Sequence, residues 1–311
     1  MPIRIPDSLP ATATLESENI FVMTEYRALH QDIRPLNLLI LNLMPTKIVT
    51  ETQFLRKLSN TPLQIRVEFL QTASYQSTHT DASHLDSFYT TFDQIKDKTY
   101  DGMIITGAPL AFVPWEEVEY WDELCRIMDW TTTHVHSTMH VCWGAFAGLY
   151  YHYGVPKVLR DKKLFGVYPH SPVPAKKQSP LFRGLDDVFY VPQSREIELN
   201  EADILKVPEL ELMATSPEAG VFAVKSKDNR RFFLTGHGEY DADTLANEYW
   251  RDKNKGLDID LPEHYFPNDD PTQPPIVNWR SAGQLIYNNW LNYYVYQTTP
   301  YDLNKLSKPD K

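Results

Sequence analysis

The run Leu36-Asn37-Leu38-Leu39-Ile40-Leu41-Asn42-Leu43 is nearly continuous apolar sequence, which is what a strand buried on both faces requires. Such a strand needs helices above and below its sheet, so the run restricts the fold to a layered α/β architecture. The sequence that follows agrees. Pro45 punctuates the chain, and a helical pattern spans Thr50 to Leu58, with Thr50 and Glu51 suited to its first turn. A second strand is expected over Leu63 to Leu70, where Leu63, Ile65, Val67 and Phe69 alternate with polar residues. A third covers Met103 to Gly107, a helix runs from about Glu116 to Trp130, and another strand ends at Cys142. Leu210–Met213, Val221–Val224 and Arg231–Leu234 read as a meander. The last of them enters Thr235-Gly236-His237-Gly238-Glu239-Tyr240-Asp241, and a helix from about Ala242 to Arg251 follows. Strand alternating with helix predicts a doubly wound, mostly parallel sheet. Residues 1–34 read as an N-terminal extension, 35–300 as one α/β domain and 301–311 as a tail. Within the domain, the Pro- and Asp-rich residues 257–276 read as an irregular loop, and the aromatics of Trp279 to Tyr296 as packed C-terminal helix.

Composition removes several classes of function. A net charge of −11 over 311 residues argues against general nucleic-acid binding, which needs a basic footprint. No run of 18 uncharged apolar residues exists for a membrane span, and the opening Met1-Pro2-Ile3-Arg4-Ile5-Pro6-Asp7 lacks a signal-peptide core. With only Cys125 and Cys142 there is no disulfide framework, and a reducing cytoplasm is the expectation. No glycine-rich phosphate loop is present, and His30, His79, His84, His134, His136 and His152 show no metal-site spacing.

Doubly wound sheets carry their sites at the carboxyl ends of their strands. Met44-Pro45-Thr46-Lys47, Thr106-Gly107-Ala108-Pro109 and His140-Val141-Cys142-Trp143 therefore converge on one edge. Cys142 leaves its strand through the Gly/Ala-rich Trp143-Gly144-Ala145-Phe146-Ala147-Gly148, the start of a helix. Helix N-terminal amides lower a thiol pKa and can hold an oxyanion, the cysteine counterpart of a nucleophile elbow. The alternative is a small buried hydrophobe. His237 also follows a strand, and Glu239, two residues on, faces the same side in extended chain, so Cys142, His237 and Glu239 form a coherent nucleophile, base and orienting acid. A surface His–Glu pair is the plainer reading. Small residues at Gly107-Ala108-Pro109 either relieve crowding or bring an amide, at Leu110, to an oxyanion hole shared with the Trp143 N–H. Lys157, Arg160, Lys162 and Lys163 form a basic run, either a solvated face or a site for an anionic ligand. Arg251 either caps its helix or captures a carboxylate. Cys125 falls on an apolar helical stripe and reads as core.

These segments together closely resemble the homoserine O-succinyltransferase/O-acetyltransferase family, related in fold to class I glutamine amidotransferases of flavodoxin-like type. The resemblance rests on Met1 to Pro6, Ile33 to Pro45, Thr106 to Pro109, Val141-Cys142-Trp143, Thr235 to Asp241, Asn278 to Ser281 and Asn289 to Tyr296. It implies ping-pong acyl transfer from an acyl-CoA co-substrate through an acyl-Cys142, with His237 as base and Glu239 orienting it. It also implies small-molecule substrates, no bound cofactor or metal, and a homodimer. Arg251 matches the position that binds the amino-acid carboxylate; Lys47, Lys163 and Ser194 match acyl- or acceptor-site positions. Several pocket motifs depart from the family. Ala111 stands where acetyl-users show Glu and succinyl-users Gly. Thr46 replaces a Lys, Pro169 follows Gly166-Val167-Tyr168 in place of Glu, Gln193 replaces a His, and Gly238 and Ala282 are also altered. Lost basic groups favour acetyl-CoA over succinyl-CoA as donor. L-homoserine and L-serine both remain open as acceptors, in methionine or cysteine biosynthesis. The rival classes are an amidotransferase-like hydrolase and a silent binding protein.

Overall fold

The computed structural model describes residues 3–5, 22–24, 35–74, 80–303 and 306. Of the expected N-terminal extension, these include only Ile3–Ile5 and Val22–Thr24, a short parallel pair; most of the expected tail also lies outside the described residues. The apolar run forms β1 (Leu36–Leu41), followed by α1 (Lys47–Ser59), β2 (Ile65–Leu70) and the short β3 (Tyr89–Thr90). Next come β4 (Tyr100–Ile105), α2 (Trp121–His134), β5 (Val135–Val141) and α3 (Trp143–Tyr153). The second half holds β6 (Val158–Pro172), β7 (Phe189–Glu198), β8 (Leu210–Ser216), β9 (Gly220–Ser226), β10 (Arg231–Leu234), α4 (Thr244–Asn254) and α5 (Arg280–Asn289).

One ten-stranded sheet runs β3-β2-β1-β4-β5-β10-β9-β8-β6-β7. Its first five pairings are parallel and its last four antiparallel. The alternation of β1 explains why both faces are covered. Leu36, Leu38 and Ile40 pack in one core with Phe54 and Leu58 of α1 and Ile286 and Tyr287 of α5. Leu39 and Leu41 pack in the other, with Leu124, Ile127 and Met128 of α2 and Phe146 of α3. Successive strand side chains point to opposite faces, so an apolar residue at nearly every position feeds two cores at once.

Three details differ from the sequence reading. The helix expected from Glu116 begins at Trp121, because Trp115–Glu117 closes a separate 3-10 turn after Pro114 and the chain is extended at Val118. The C-terminal helix is α-helical only to Asn289 and continues as a π-helix over Trp290–Tyr296. The long β6–β7 hairpin was not anticipated. Among the described residues no helix is long and apolar enough to cross a membrane.

Candidate active site

β5 and β10 are parallel neighbours, with Leu234 opposite Val141. That register places Cys142 and Thr235 side by side just past the strand ends, and the Cys142 amide donates to the Leu234 carbonyl at 2.7 Å. Cys142 caps α3 with φ 49° and ψ −124°. A non-glycine residue in such a region costs roughly 1–3 kcal/mol and persists only where its surroundings over-determine it. Here a strand bond holds it from behind, and its carbonyl accepts from the Ala145 and Phe146 amides at 2.8 and 3.3 Å. The side chain is thereby thrown out at the corner, beside helix-starting amides that have no partner within the helix. Gly107 closes in from the neighbouring strand end: a Cβ there would stand 3.2 Å from Cys142 Cβ and 3.7 Å from both its Sγ and the Trp143 nitrogen.

His237 arrives from β10, its own amide donating to the Pro192 carbonyl at 2.9 Å. Its Nδ1 donates to Glu239 Oε1 at 2.6 Å, and the Tyr287 hydroxyl donates to Glu239 Oε2 at 3.2 Å. With Nδ1 committed, Nε2 is the nitrogen left for the thiol. Tyr240 stacks on the imidazole at 4.0 Å between centroids. Burial opposes a charge on this ring, but the nearby Cys142 sulfur and the Glu239 carboxylate outweigh it and push His237 up to about 10. The loop carrying His237 and Glu239 lies directly on α5. A Cβ at Gly283 would stand 2.2 Å from the Gly238 carbonyl oxygen, so the two backbones meet only because both residues lack side chains.

Cys142 and His237 open into a cleft of about 620 Å³ whose far wall comes from β6, β7 and α4. Glu248 is its hub: Oε1 pairs with Lys163 Nζ at 2.5 Å and accepts from Ser194 Oγ at 2.9 Å. One turn on, Arg251 grips Asp252 through Nε and Nη2 at 2.6 and 2.7 Å, and its Nη2 lies 3.7 Å from Glu248. Spacings of three and four set Glu248, Arg251 and Asp252 on one helix face. Arg195 lies at the cleft floor, 2% exposed, with its guanidinium donating to Gln193 Oε1 and to the Ile197 and Ala219 carbonyls.

The cleft thus gathers Cys142, Trp143, Lys163, Ser194, His237, Arg251 and the small wall residue Ala111. Glu239 is off the lining, on the Nδ1 side of His237, and two further expected site residues sit elsewhere. Lys47 is not on the cleft lining; its buried Nζ donates to the Asn42 carbonyl at 2.5 Å and lies over Tyr89, while burial lowers its pKa to about 8. Leu110 is also outside the lining, its amide donating to the Ala108 carbonyl at 2.9 Å. The basic run disperses along β6: Lys157 binds backbone carbonyls, Arg160 pairs with Glu198, Lys162 with Asp260 and Lys163 with Glu248. Cys125 packs against the α2-side core, where burial lifts its thiol to about 11. Sequence reasoning missed Glu248, Arg195 and Tyr287. Helical spacing from Arg251 was a signal for the first; nothing local marked the other two. Among the described residues one group, Glu218, Glu263 and His264, brings three potential metal ligands within 4.8 Å; all are exposed and none lines the cleft.

The doubly wound sheet is shared with solved glutamine amidotransferases. The chain is similar to one from Thermotoga maritima, with a TM-score of 0.55 and 12% identity covering 85% of this chain and 99% of that one. A second, from Methylobacillus flagellatus, has a TM-score of 0.52 and 12% identity over 84% and 95%. At these identities the likeness establishes the fold. Sequence comparison goes further. The family model for homoserine O-succinyltransferase matches residues 2–301, and the chain belongs to that family of acyltransferases. It is 55% identical to the homoserine O-acetyltransferase of Acetivibrio thermocellus, covering 98% of this chain and all of that one. With the homoserine O-acetyltransferase of Geobacillus kaustophilus it shares 58% identity over 97% and 99%.

Proposed function

We propose that this enzyme moves an acetyl group from acetyl-CoA to the side-chain hydroxyl of L-homoserine through a thioester on Cys142, a step of methionine biosynthesis. The observation that carries the reading is Cys142 itself, held at φ 49° where an apolar core residue would gain nothing from the strain, and opening with His237 into one cleft. The Cys142 sulfur adds to the acetyl-CoA carbonyl with the proton held on His237. The carbon–sulfur bond to CoA then breaks, and the departing thiolate takes that proton. In the second half the acceptor hydroxyl gives its proton to His237, its oxygen adds to the acyl-enzyme carbonyl, and the cysteine leaves as the thiol. Glu239 keeps the imidazole oriented and favours its cationic form. The Trp143 amide, first in α3 after Cys142, serves as an oxyanion donor.

An amino acid is a zwitterion, and the far wall offers both signs: Arg251 for its carboxylate, Glu248 for its ammonium. With Arg251 assigned to the acceptor carboxylate and Lys163 holding Glu248, no cation of this wall is assigned to a succinyl carboxylate, which favours the acetyl donor. The relatives' names point the same way for donor and acceptor. L-Serine, one methylene shorter, is the alternative acceptor. Two free cysteines suit a reducing cytoplasm.

Steady-state assays crossing acetyl- and succinyl-CoA with L-homoserine and L-serine test this. The acetyl-CoA and homoserine pair should exceed each other pair about tenfold or more in kcat/KM, one methylene supporting that much between the acceptors and the succinyl carboxylate at least as much between the donors. A serine preference would replace the acceptor, and a succinyl preference the donor. Mass spectrometry after incubation with acetyl-CoA alone should show one added acetyl on the wild type and none on Cys142→Ser; equal labelling of both would sink the mechanism.

A further inference from the structure

Lys157 was the first member of the basic run, and among the described residues no carboxylate lies within ion-pair distance of it, Glu116 acting on it only from farther off. It follows the C-terminus of α3, and its Nζ reaches under the turn that bears Ala111, donating to the Ala111 carbonyl at 3.0 Å and to the Val113 carbonyl at 2.6 Å. The same ammonium sits 4.1 Å from the centroid of the Trp115 ring. Neither acceptor is a carboxylate, so the contact is a cation spent on backbone, a use that needs a geometric reason.

The reason lies on the other side of the turn. The Leu110 carbonyl accepts from Trp143 Nε1 at 3.2 Å and from the Val113 amide at 3.3 Å. The Trp115 ring that Lys157 covers packs on Trp143 at 5.4 Å. The 110–113 turn is therefore fastened at two points. One is the indole of the residue after the nucleophile, and the other is Lys157. Between them Ala111 faces the cleft beside Cys142 and Trp143.

We infer that Lys157 is a positioning residue for the acyl end of the cleft, clamping the Ala111 wall against Trp143 so that the space beside Cys142 admits one acyl group and disfavours a larger one. The inference rests on the acyl-transfer reading above. Removing the ammonium leaves two carbonyls of the turn without their donor and frees the wall to withdraw. The acceptor wall on α4 and β6–β7 is built from other residues and is unaffected.

The test compares wild type, Lys157→Met and Lys157→Arg with acetyl-CoA and succinyl-CoA. Methionine keeps the unbranched stem against Trp115 without the donors. In Lys157→Met the acetyl-to-succinyl ratio of kcat/KM should fall about tenfold or more, with homoserine KM held within about twofold. Lys157→Arg, which retains a cation and several N–H donors, should recover most of the ratio. An unchanged ratio in folded Lys157→Met, or a change confined to homoserine KM, overturns the inference and leaves the functional reading standing. If Lys157→Met does not fold, Lys157→Gln, with a single amide group, is judged on the same ratio. A wild type that transfers neither acyl group overturns both.

Discussion

The two ends of the cleft are built on different principles. At the reacting end, position comes from the sheet: adjacent parallel strands deliver Cys142 and His237, and each group is held by backbone or by a buried partner. At the binding end, position comes from charge. Lys163, Glu248, Arg251 and Asp252 hold one another, and the Arg251 side chain is 55% exposed. Strand ends fix geometry before any ligand arrives, which is what an attacking atom needs. The pairs made by the half-exposed Arg251 are individually worth about 0–1 kcal/mol, so a substrate carboxylate can take the place of a protein carboxylate on it at little cost. Under the proposed reaction, the molecule is rigid where bonds change and exchangeable where the substrate is recognised.

Removing the Glu239 carboxylate, proposed above to orient the base, strikes the rigid end. Glu239→Gln should lower kcat on the order of 10²–10⁴-fold with homoserine KM little changed. It should also lower the His237 pKa from about 10, read by imidazole NMR. The sign for stability follows from the raised value. The cationic imidazole stabilises the folded chain fully below its ordinary 6.5, and this is lost as the pH rises through about 10. Urea titrations across that range should show a smaller loss in Glu239→Gln; an unchanged profile would mean that the carboxylate does not govern the ring.

Arg251→Met probes the exchangeable end. Homoserine KM should rise roughly 10–100-fold, matching a charge-assisted pair worth about 1.5–3 kcal/mol, while the rate of acyl-enzyme formation on Cys142 stays within about twofold. If acyl-enzyme formation falls as steeply as acceptor binding, the two ends are not separable. The smallest expected effect is structural. Gly283→Ala forces a methyl into the Gly238 carbonyl and should cost about 1–3 kcal/mol by overpacking, seen as a lower Tm and a reduced kcat, with acceptor KM near wild type.

How far the sequence foretold these two ends differs for the same reason. Strands buried on both faces announce themselves by apolar runs, so β1, β4 and β5, and with them the placement of Cys142, were readable. His237 and Glu239 were readable because their two-residue spacing is local. The β6–β7 hairpin was not, since β6 opens with Val158-Leu159-Arg160-Asp161-Lys162-Lys163, mostly exposed, and its pairing register shifts between Leu159 and Leu164. The basic run looked like a cluster only along the chain; on a strand, neighbours point to opposite faces and find separate partners. Tyr287 lies far along the chain from Glu239, a distance that only tertiary packing bridges. Of the residues that the family resemblance singled out, Lys163, Ser194 and Arg251 line the cleft, whereas Lys47 is off its lining with its ammonium on the Asn42 carbonyl.

The seat of α5 on the His237–Glu239 loop has a consequence for synthesis. Residues 280–296 follow every sheet strand in the chain, yet they supply Tyr287 to Glu239, Gly283 to the backbone contact and Trp290 Nε1 to Ser137 Oγ at 2.9 Å. While they remain inside the ribosome, β5, α3 and β10 can already be outside with the thiol and the imidazole on them, but the carboxylate between Tyr287 and His237 has lost one of its two anchors. A nascent chain therefore carries Cys142 and His237 long before Tyr287 can reach Glu239, and the full set of contacts around that carboxylate forms only as α5 docks.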